Sequence, residues 1–118
     1  MINGKRFAIR IIKLYKYLNA EKKEFVISKQ MLRSGTSIVA NVKEGEYGQS
    51  TADFISKMSI ALKEAAETLY WLELLVQTDY ITKEQYESIS SDCIELIKIL
   101  TSIVKSTKYL IKKLKEKL

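Results

Sequence analysis

Histidine is absent from this chain, which removes Ser-His and Cys-His nucleophile pairs, histidine general bases and the usual zinc sites. Carboxylate or lysine chemistry survives that exclusion, but no glycine-rich phosphate loop or paired-acid motif accompanies it. The expectation is a protein that is not an enzyme, with no catalytic residues, no metal and no cofactor. Proline is absent as well, and only four glycines occur. Helices need that economy, whereas sheets with many turns rarely show it. The single Cys93 has no partner for an internal disulfide and falls on an apolar helical stripe, so it reads as packing. No apolar run approaches the ~20 residues of a membrane span. Lys5, Arg6 and Arg10 interrupt any signal-peptide core. A cytoplasmic protein is expected.

What is present is 47% apolar and 29% charged residues in a chain of 118. That is enough to bury a core, and it suggests one domain over residues 1–118. Four helical stretches follow from the spacing of apolar residues. The first spans about Gly4 to Leu18, with Phe7, Ile11, Leu14 and Leu18 on one face. The second spans about Phe25 to Glu44, and Gly45 is placed as the residue that ends it. Ser50 and Asp53 form a capping pair for a third, about Thr51 to Thr78, where Met58, Leu62, Ala65, Leu69, Leu72 and Val76 alternate by fours and threes. Thr82 and Gln85 make a capping box for the fourth. There Tyr86, Ile89, Cys93, Leu96, Leu100, Ile103, Leu110 and Leu114 continue nearly to the end. Spacing of this kind, with short connections, predicts an up-down antiparallel four-helix bundle.

The second stretch is unusual. Ser34, Ser37, Asn41 and Glu44 fall within a stripe roughly 80° wide, beside an apolar stripe of Ile27, Met31, Ile38 and Val42. Between Gln30 and Val42 the only charged residue is Arg33. A helix so poor in charge is buried on more than one side, which points to self-association, with Gly35 allowing close approach. Glu64 sits among apolar neighbours on a second face of the third stretch that also carries Trp71, and Glu67 is close by. The expectation is that Glu64 or Glu67 pairs with Arg33 or Asn41, within the chain or across an interface. Ser34, Thr36 and Ser37 admit another reading, an anion cradle, but they lie inside a helix rather than at its N-terminus.

The segments "QMLRSGTSIVANVKEG" and "DFISKMSIALKEAAETLYWLELL" resemble the four-helix bundle proteins encoded by intervening sequences in bacterial 23S ribosomal RNA genes. Arg33-Ser34 with Ser37-Ile38, Ala40-Asn41, Glu44-Gly45 and Lys63-Glu64-Ala65 carry the likeness most specifically, which covers roughly Phe7 to Lys108. The resemblance implies an up-down bundle assembled as a ring-like homopentamer. It also brings in the accessory variability determinant proteins of diversity-generating retroelements, which bind RNA and a reverse transcriptase through a basic surface. It supplies no catalytic residues.

The net charge of +6 is uneven. Residues 1–24 carry seven basic and two acidic side chains, and residues 105–118 carry six and one, while residues 50–104 carry four and nine. Antiparallel packing brings the start of the first helix and the end of the fourth to one end of the molecule, so a continuous basic region is expected. Its candidate nucleic-acid contacts are Lys5, Arg6, Arg10, Lys13, Lys16 and Tyr17, with Lys108, Lys112 and Lys113. Tyr17 or Tyr109 would stack on an unpaired base. Arg33, Ser34, Gly35, Ser37, Asn41, Glu44, Glu64, Glu67 and Trp71 are the candidate oligomer interface and polar network. Three function classes emerge: a homo-oligomer that binds RNA or DNA beside a reverse transcriptase or other nucleic-acid enzyme, a protein-only scaffold, and a membrane-surface module. Ile111, Leu114 and Leu118 give the last only limited apolar area, so no membrane partner is expected.

Overall fold

Four helices form where the three- and four-residue spacings run. The computed structural model describes residues 4–118. Its elements are α1 (Gly4–Ala20), α2 (Ile27–Glu46), α3 (Thr51–Gln77) and α4 (Lys83–Glu116). Each contact between neighbours fixes an antiparallel register. Gly35 of α2 lies against Ile11 of α1. Ser34 of α2 accepts a hydrogen bond from Thr68 of α3 at 2.8 Å, and Glu44 meets Lys57 at 2.9 Å. The Cys93 thiol of α4 reaches the Ala65 carbonyl of α3 at 3.3 Å. α2 thus lies between α1 and α3, and α4 packs on α3 and more sparingly on α1.

The core is assembled from the predicted stripes. Phe7, Ile11, Met31, Ile38, Leu72 and Leu100 are closed off from solvent, as are the small residues Ala61 and Ala65 that let α3 approach its neighbours. Cys93 belongs to this interior, and burial pushes its thiol up to about 12, which leaves it an unreactive packing group at neutral pH.

The helix ends are chemically specific. Ser50 caps α3 by accepting from the Asp53 N–H at 3.1 Å, and Thr82 and Gln85 form both halves of the capping box at the start of α4. α3 closes in a Schellman turn, with the Tyr80 N–H on the Leu75 carbonyl at 2.9 Å and Asp79, rather than glycine, in the left-handed conformation at φ 65°. Gly45 does not end α2. The helix runs through Glu46, and none of the described glycines has a positive φ. A Cβ at Gly45 would stand 2.9 Å from the end of Met58 and 3.1 Å from Lys57 Cβ, so the glycine serves close packing on α3.

The molecule measures 59 × 23 × 22 Å. Its long dimension comes from α4, whose 34 residues span about 51 Å. The Ala65–Cys93 register puts Thr51, the first residue of α3, level with Thr107. Beyond that point α4 projects alone, with Tyr109, Leu110 and Leu114 exposed.

Candidate nucleic-acid interface and the polar face of α2 and α3

The outer face of α1 carries Lys5, Arg6, Lys13 and Lys16 within an arc of about 100°, with Ile9 among them. All four cations are exposed, and none forms an ion pair among the described residues. α1 is helical because its apolar residues repeat toward α2, which leaves these long side chains on the solvent side by default.

Arg10 departs from the expectation. Its guanidinium is half-buried and turned toward α4, 2.6 Å from the Asp92 carboxylate, and it also donates to the Ser88 hydroxyl at 2.7 Å. That short charge-assisted contact joins α1 to α4 and withdraws Arg10 from the basic face. Tyr17 is half-buried against the core, so its ring is not offered to a base. Tyr109 is exposed, with the Lys113 ammonium 5.5 Å from its ring centroid.

The two parts of the expected basic region lie at different heights along the bundle. The Arg10–Asp92 register sets Lys5 level with residue 97 of α4, so Lys108 lies 11 residues further along, about 16 Å away. At that distance, about one and a half Debye lengths in 0.1 M salt, Lys5 and Lys108 interact weakly, with Lys98 and Lys105 of α4 between them along the axis. Lys108, Lys112 and Lys113 all belong to the extension.

The polar stripe of α2 is satisfied mostly inside the protomer. Ser34 is buried and bonded to Thr68, whose hydroxyl oxygen also stands 2.8 Å from the Glu64 carbonyl and shares its one proton between the two. Ser37 donates to the Arg33 carbonyl at 2.6 Å, Thr36 to the Leu32 carbonyl at 2.7 Å and Asn41 to the Ser37 carbonyl at 2.8 Å. Hydroxyls turned back onto their own helix do not make an anion cradle. Gly35 faces Ile11 of α1, which corrects the expectation that it lies at an oligomer contact. The lack of charge around α2 follows from its position between two neighbours of its own chain. Periodicity shows that a face is buried but not what covers it.

The expected carboxylate pairs do not form within the chain. A cleft of about 230 Å³ between α2 and α3 is lined by Gln30, Arg33, Ser34, Lys63, Glu64 and Glu67. Among the described residues neither Glu64 nor Glu67 reaches Arg33 within ion-pair distance, and neither is hydrogen-bonded to Asn41. Burial, then the neighbouring Glu67, hold the Glu64 carboxyl above its ordinary value against the pull of Arg33 and Lys63. The folded chain therefore holds the Glu64 proton more tightly than the unfolded chain. Its stabilising contribution is present in acid and is lost as pH rises through the folded value. Glu64→Gln in dilute protein is expected to be at least as stable as the parent at neutral pH, by up to about 0.5 kcal/mol, with no gain in acid. A lower melting temperature at neutral pH would reveal a stabilising partner for this carboxylate.

Sequence reasoning missed two groups, Glu24 and Asp92. Glu24, in the connector between α1 and α2, is buried and accepts from the backbone N–H groups of Val26, Ile27 and Ser28 at 3.1, 2.9 and 2.6 Å. Its place just ahead of α2 was the available signal. For Asp92, as the partner of Arg10, the sequence carries no such signal. Trp71 is half-buried against the core, 5.1 Å from the ring of the more exposed Tyr70.

Four antiparallel helices around one apolar core define an all-α four-helix bundle protein. The model of the 23S rRNA-intervening sequence protein family matches residues 2–102, and the chain belongs to that family. It is similar to a protein of unknown function from the S23 ribosomal protein family of Bacteroides thetaiotaomicron, whose crystal structure was determined at 1.70 Å resolution. The two are 64% identical, with 86% of this chain and 94% of that chain covered, and superpose with a TM-score of 0.86. No curated protein matches the chain. Among the described residues no group of three or more potential ligands could hold a metal ion, and no helix is long and apolar enough to cross a membrane.

Proposed function

We propose that this protein is a non-catalytic homo-oligomeric bundle that binds RNA or DNA through phosphates, as an accessory to a nucleic-acid process. The observation that carries the reading is the set of exposed cations Lys5, Arg6, Lys13 and Lys16 on one face of α1 without ion-pair partners among the described residues. Lysines and arginines spaced along a helix without base-reading side chains suit backbone contacts, which carry no sequence information. The extension lysines Lys108, Lys112 and Lys113 form a second site for a strand long enough to span the gap. Apolar surface left outside the core, at Ile60 and Tyr70 on α3 and along the end of α4, supports assembly of several copies. A ring of five is the size implied by the resemblance of the α2 and α3 segments, and symmetric copies of the α1 face add avidity for long strands.

The test compares the parent with Arg6→Glu/Lys13→Glu/Lys16→Glu, both shown to be folded and of equal mass. The variant is expected to bind a structured RNA at least about tenfold more weakly at moderate salt, a difference of 1.4 kcal/mol. Affinity of the parent is expected to fall with salt by about 0.7–0.9 log units per log unit for each phosphate contact. Equal binding by the two proteins would remove α1 from the interface. A parent that binds neither RNA nor DNA at low salt would favour a protein-only scaffold.

A further inference from the structure

The end of α4 is a free-standing cationic rod. Past Thr107, level with the start of α3, no other helix of the described residues lies beside it, and Lys108 to Leu118 are exposed except for the half-buried Ile111. Residues 105–118 carry six lysines and one acid, Glu116, a net charge of +5. Lys105, Lys108, Lys112 and Lys115 fall within an arc of about 80° over about 15 Å of helix. None of the four forms an ion pair among the described residues. Lys113 and Lys117 stand on the other flank, with Lys113 at 3.6 Å from Glu116. The cations together cover about 200° of the circumference.

Charge selects a polyanion, and two further observations restrict its shape. The remaining arc holds Leu110, Ile111, Leu114 and Leu118 and continues the core stripe of Cys93, Leu96 and Leu100. It therefore faces the side on which the body lies, and the body would stand between this arc and any flat anionic surface. Proteins that hold single strands stack successive bases on aromatic rings. The extension has one ring, Tyr109, and the Lys113 ammonium lies over it, 5.5 Å from the centroid. What the rod suits is a double helix met through its phosphates.

We propose that the projecting end of α4 lies in the major groove of B-form duplex DNA. Lys108, Lys112 and Lys115 face the phosphates of one wall, and Lys113 and Lys117 those of the other. The inference names the ligand of the second site in the proposed function, and it rests on the chain binding nucleic acid through phosphates. An α-helix with its side chains is about 10–12 Å across, and the major groove of B-DNA is about 12 Å wide. From Lys108 to Leu118 the helix is about 16 Å long, enough to cross that groove. The major groove of A-form RNA is deep and too narrow for a helix. The cationic arc points away from the bundle axis, so the duplex approaches from the side the body leaves free. Phosphate contacts of this kind position a helix without reading sequence.

The experiment measures binding of the full chain to a short DNA duplex, the RNA duplex of the same sequence and the single DNA strand. At moderate salt the parent is expected to bind the DNA duplex at least about tenfold more tightly than the other two. It is also expected to protect guanine N7, which opens on the major groove, from methylation. Lys108→Gln/Lys112→Gln/Lys115→Gln, on exposed positions outside the bundle body, is expected to lose the preference and the protection. Its salt slope on the DNA duplex is expected to be shallower by about 2.7, three contacts at about 0.9 each. Arg6→Glu/Lys13→Glu/Lys16→Glu is expected to keep the protection, and its loss there would place the duplex on α1 instead. A parent that leaves N7 open, or that binds the two duplexes equally, would overturn the groove contact. An extension variant that binds the DNA duplex as the parent does would overturn it too, while weaker binding by the α1 variant would leave the proposed function standing. A parent that binds none of the three probes at low salt would overturn both.

Discussion

Leucine in place of Gly35 is expected to destabilise the folded chain by more than about 3 kcal/mol, because α1 and α2 touch where this glycine lies. A Cβ there would stand 2.9 Å from Cγ2, 3.0 Å from Cγ1 and 3.3 Å from Cβ of Ile11, a fully buried side chain. Isoleucine branches at Cβ and has little rotamer freedom in a helix, so it cannot swing aside. Alanine is the milder probe. It gains up to about 1 kcal/mol of helix propensity over glycine and loses about 1–3 kcal/mol to overpacking, so a small net loss is expected. Ile11→Ala removes the opposing atoms and should cost less in the Gly35→Ala background than in the parent, a coupling of about 1 kcal/mol measurable by urea denaturation. A Gly35→Leu protein with the parent's urea midpoint would show that the two helices are not in close contact. The effect is on folding, so a change of mass in this variant says nothing about an interface between copies.

Removal of the Glu24 carboxylate is expected to cost about 2 kcal/mol, at the upper end for a helix cap, because one side chain satisfies three N–H groups at the start of α2. Val26, the residue at the N-cap position, makes no side-chain cap of its own. Burial alone would raise the Glu24 carboxyl, but its bonds from Ile27, Ser28 and Val26 and from the Ser28 hydroxyl hold it below its ordinary value of 4.5. The unfolded chain therefore takes up this proton first as pH falls. The stabilisation is complete above the unfolded value and disappears as pH drops through the lower folded one. Glu24→Ala should melt below the parent at neutral pH, and the two should converge in acid. Glu24→Gln retains an acceptor without the charge and should fall between them. Parallel melting curves for parent and Glu24→Ala across the acid range would show that the carboxylate does not hold the turn.

Much of the fold was legible because helix periodicity is a property of the chain itself. The expected helices end within two residues of Ala20, Ile27, Glu46 and Gln77, and the Ser50 and Thr82 caps form as their sequence patterns require. The site was less legible, and the reason is physical. A helical stripe declares that it is buried, but whether another helix of the same chain or another molecule covers it depends on three-dimensional placement. Gly35 was therefore read as an assembly residue although α1 already covers it, whereas Ser34 joins a polar network within the chain through Thr68. Arg10 looked equal to its neighbours because its partner lies 82 residues away. Gly45 resembled a helix stop because glycine serves both left-handed turns and close packing, and only the backbone angles distinguish the two.

α1 bears on how the bundle comes apart. It packs on α2 and more sparingly on α4, to which Arg10 ties it, whereas α3 packs more extensively on both α2 and α4. Stability in such a molecule is distributed unevenly, and a peripheral helix is the unit that opens at least cost. The amides of α1 should exchange with solvent before those of α2 and α3. The exposed cations Lys5, Arg6, Lys13 and Lys16 travel with that helix, so the basic surface can shift relative to α3 and α4 while the contacts among the other three helices persist.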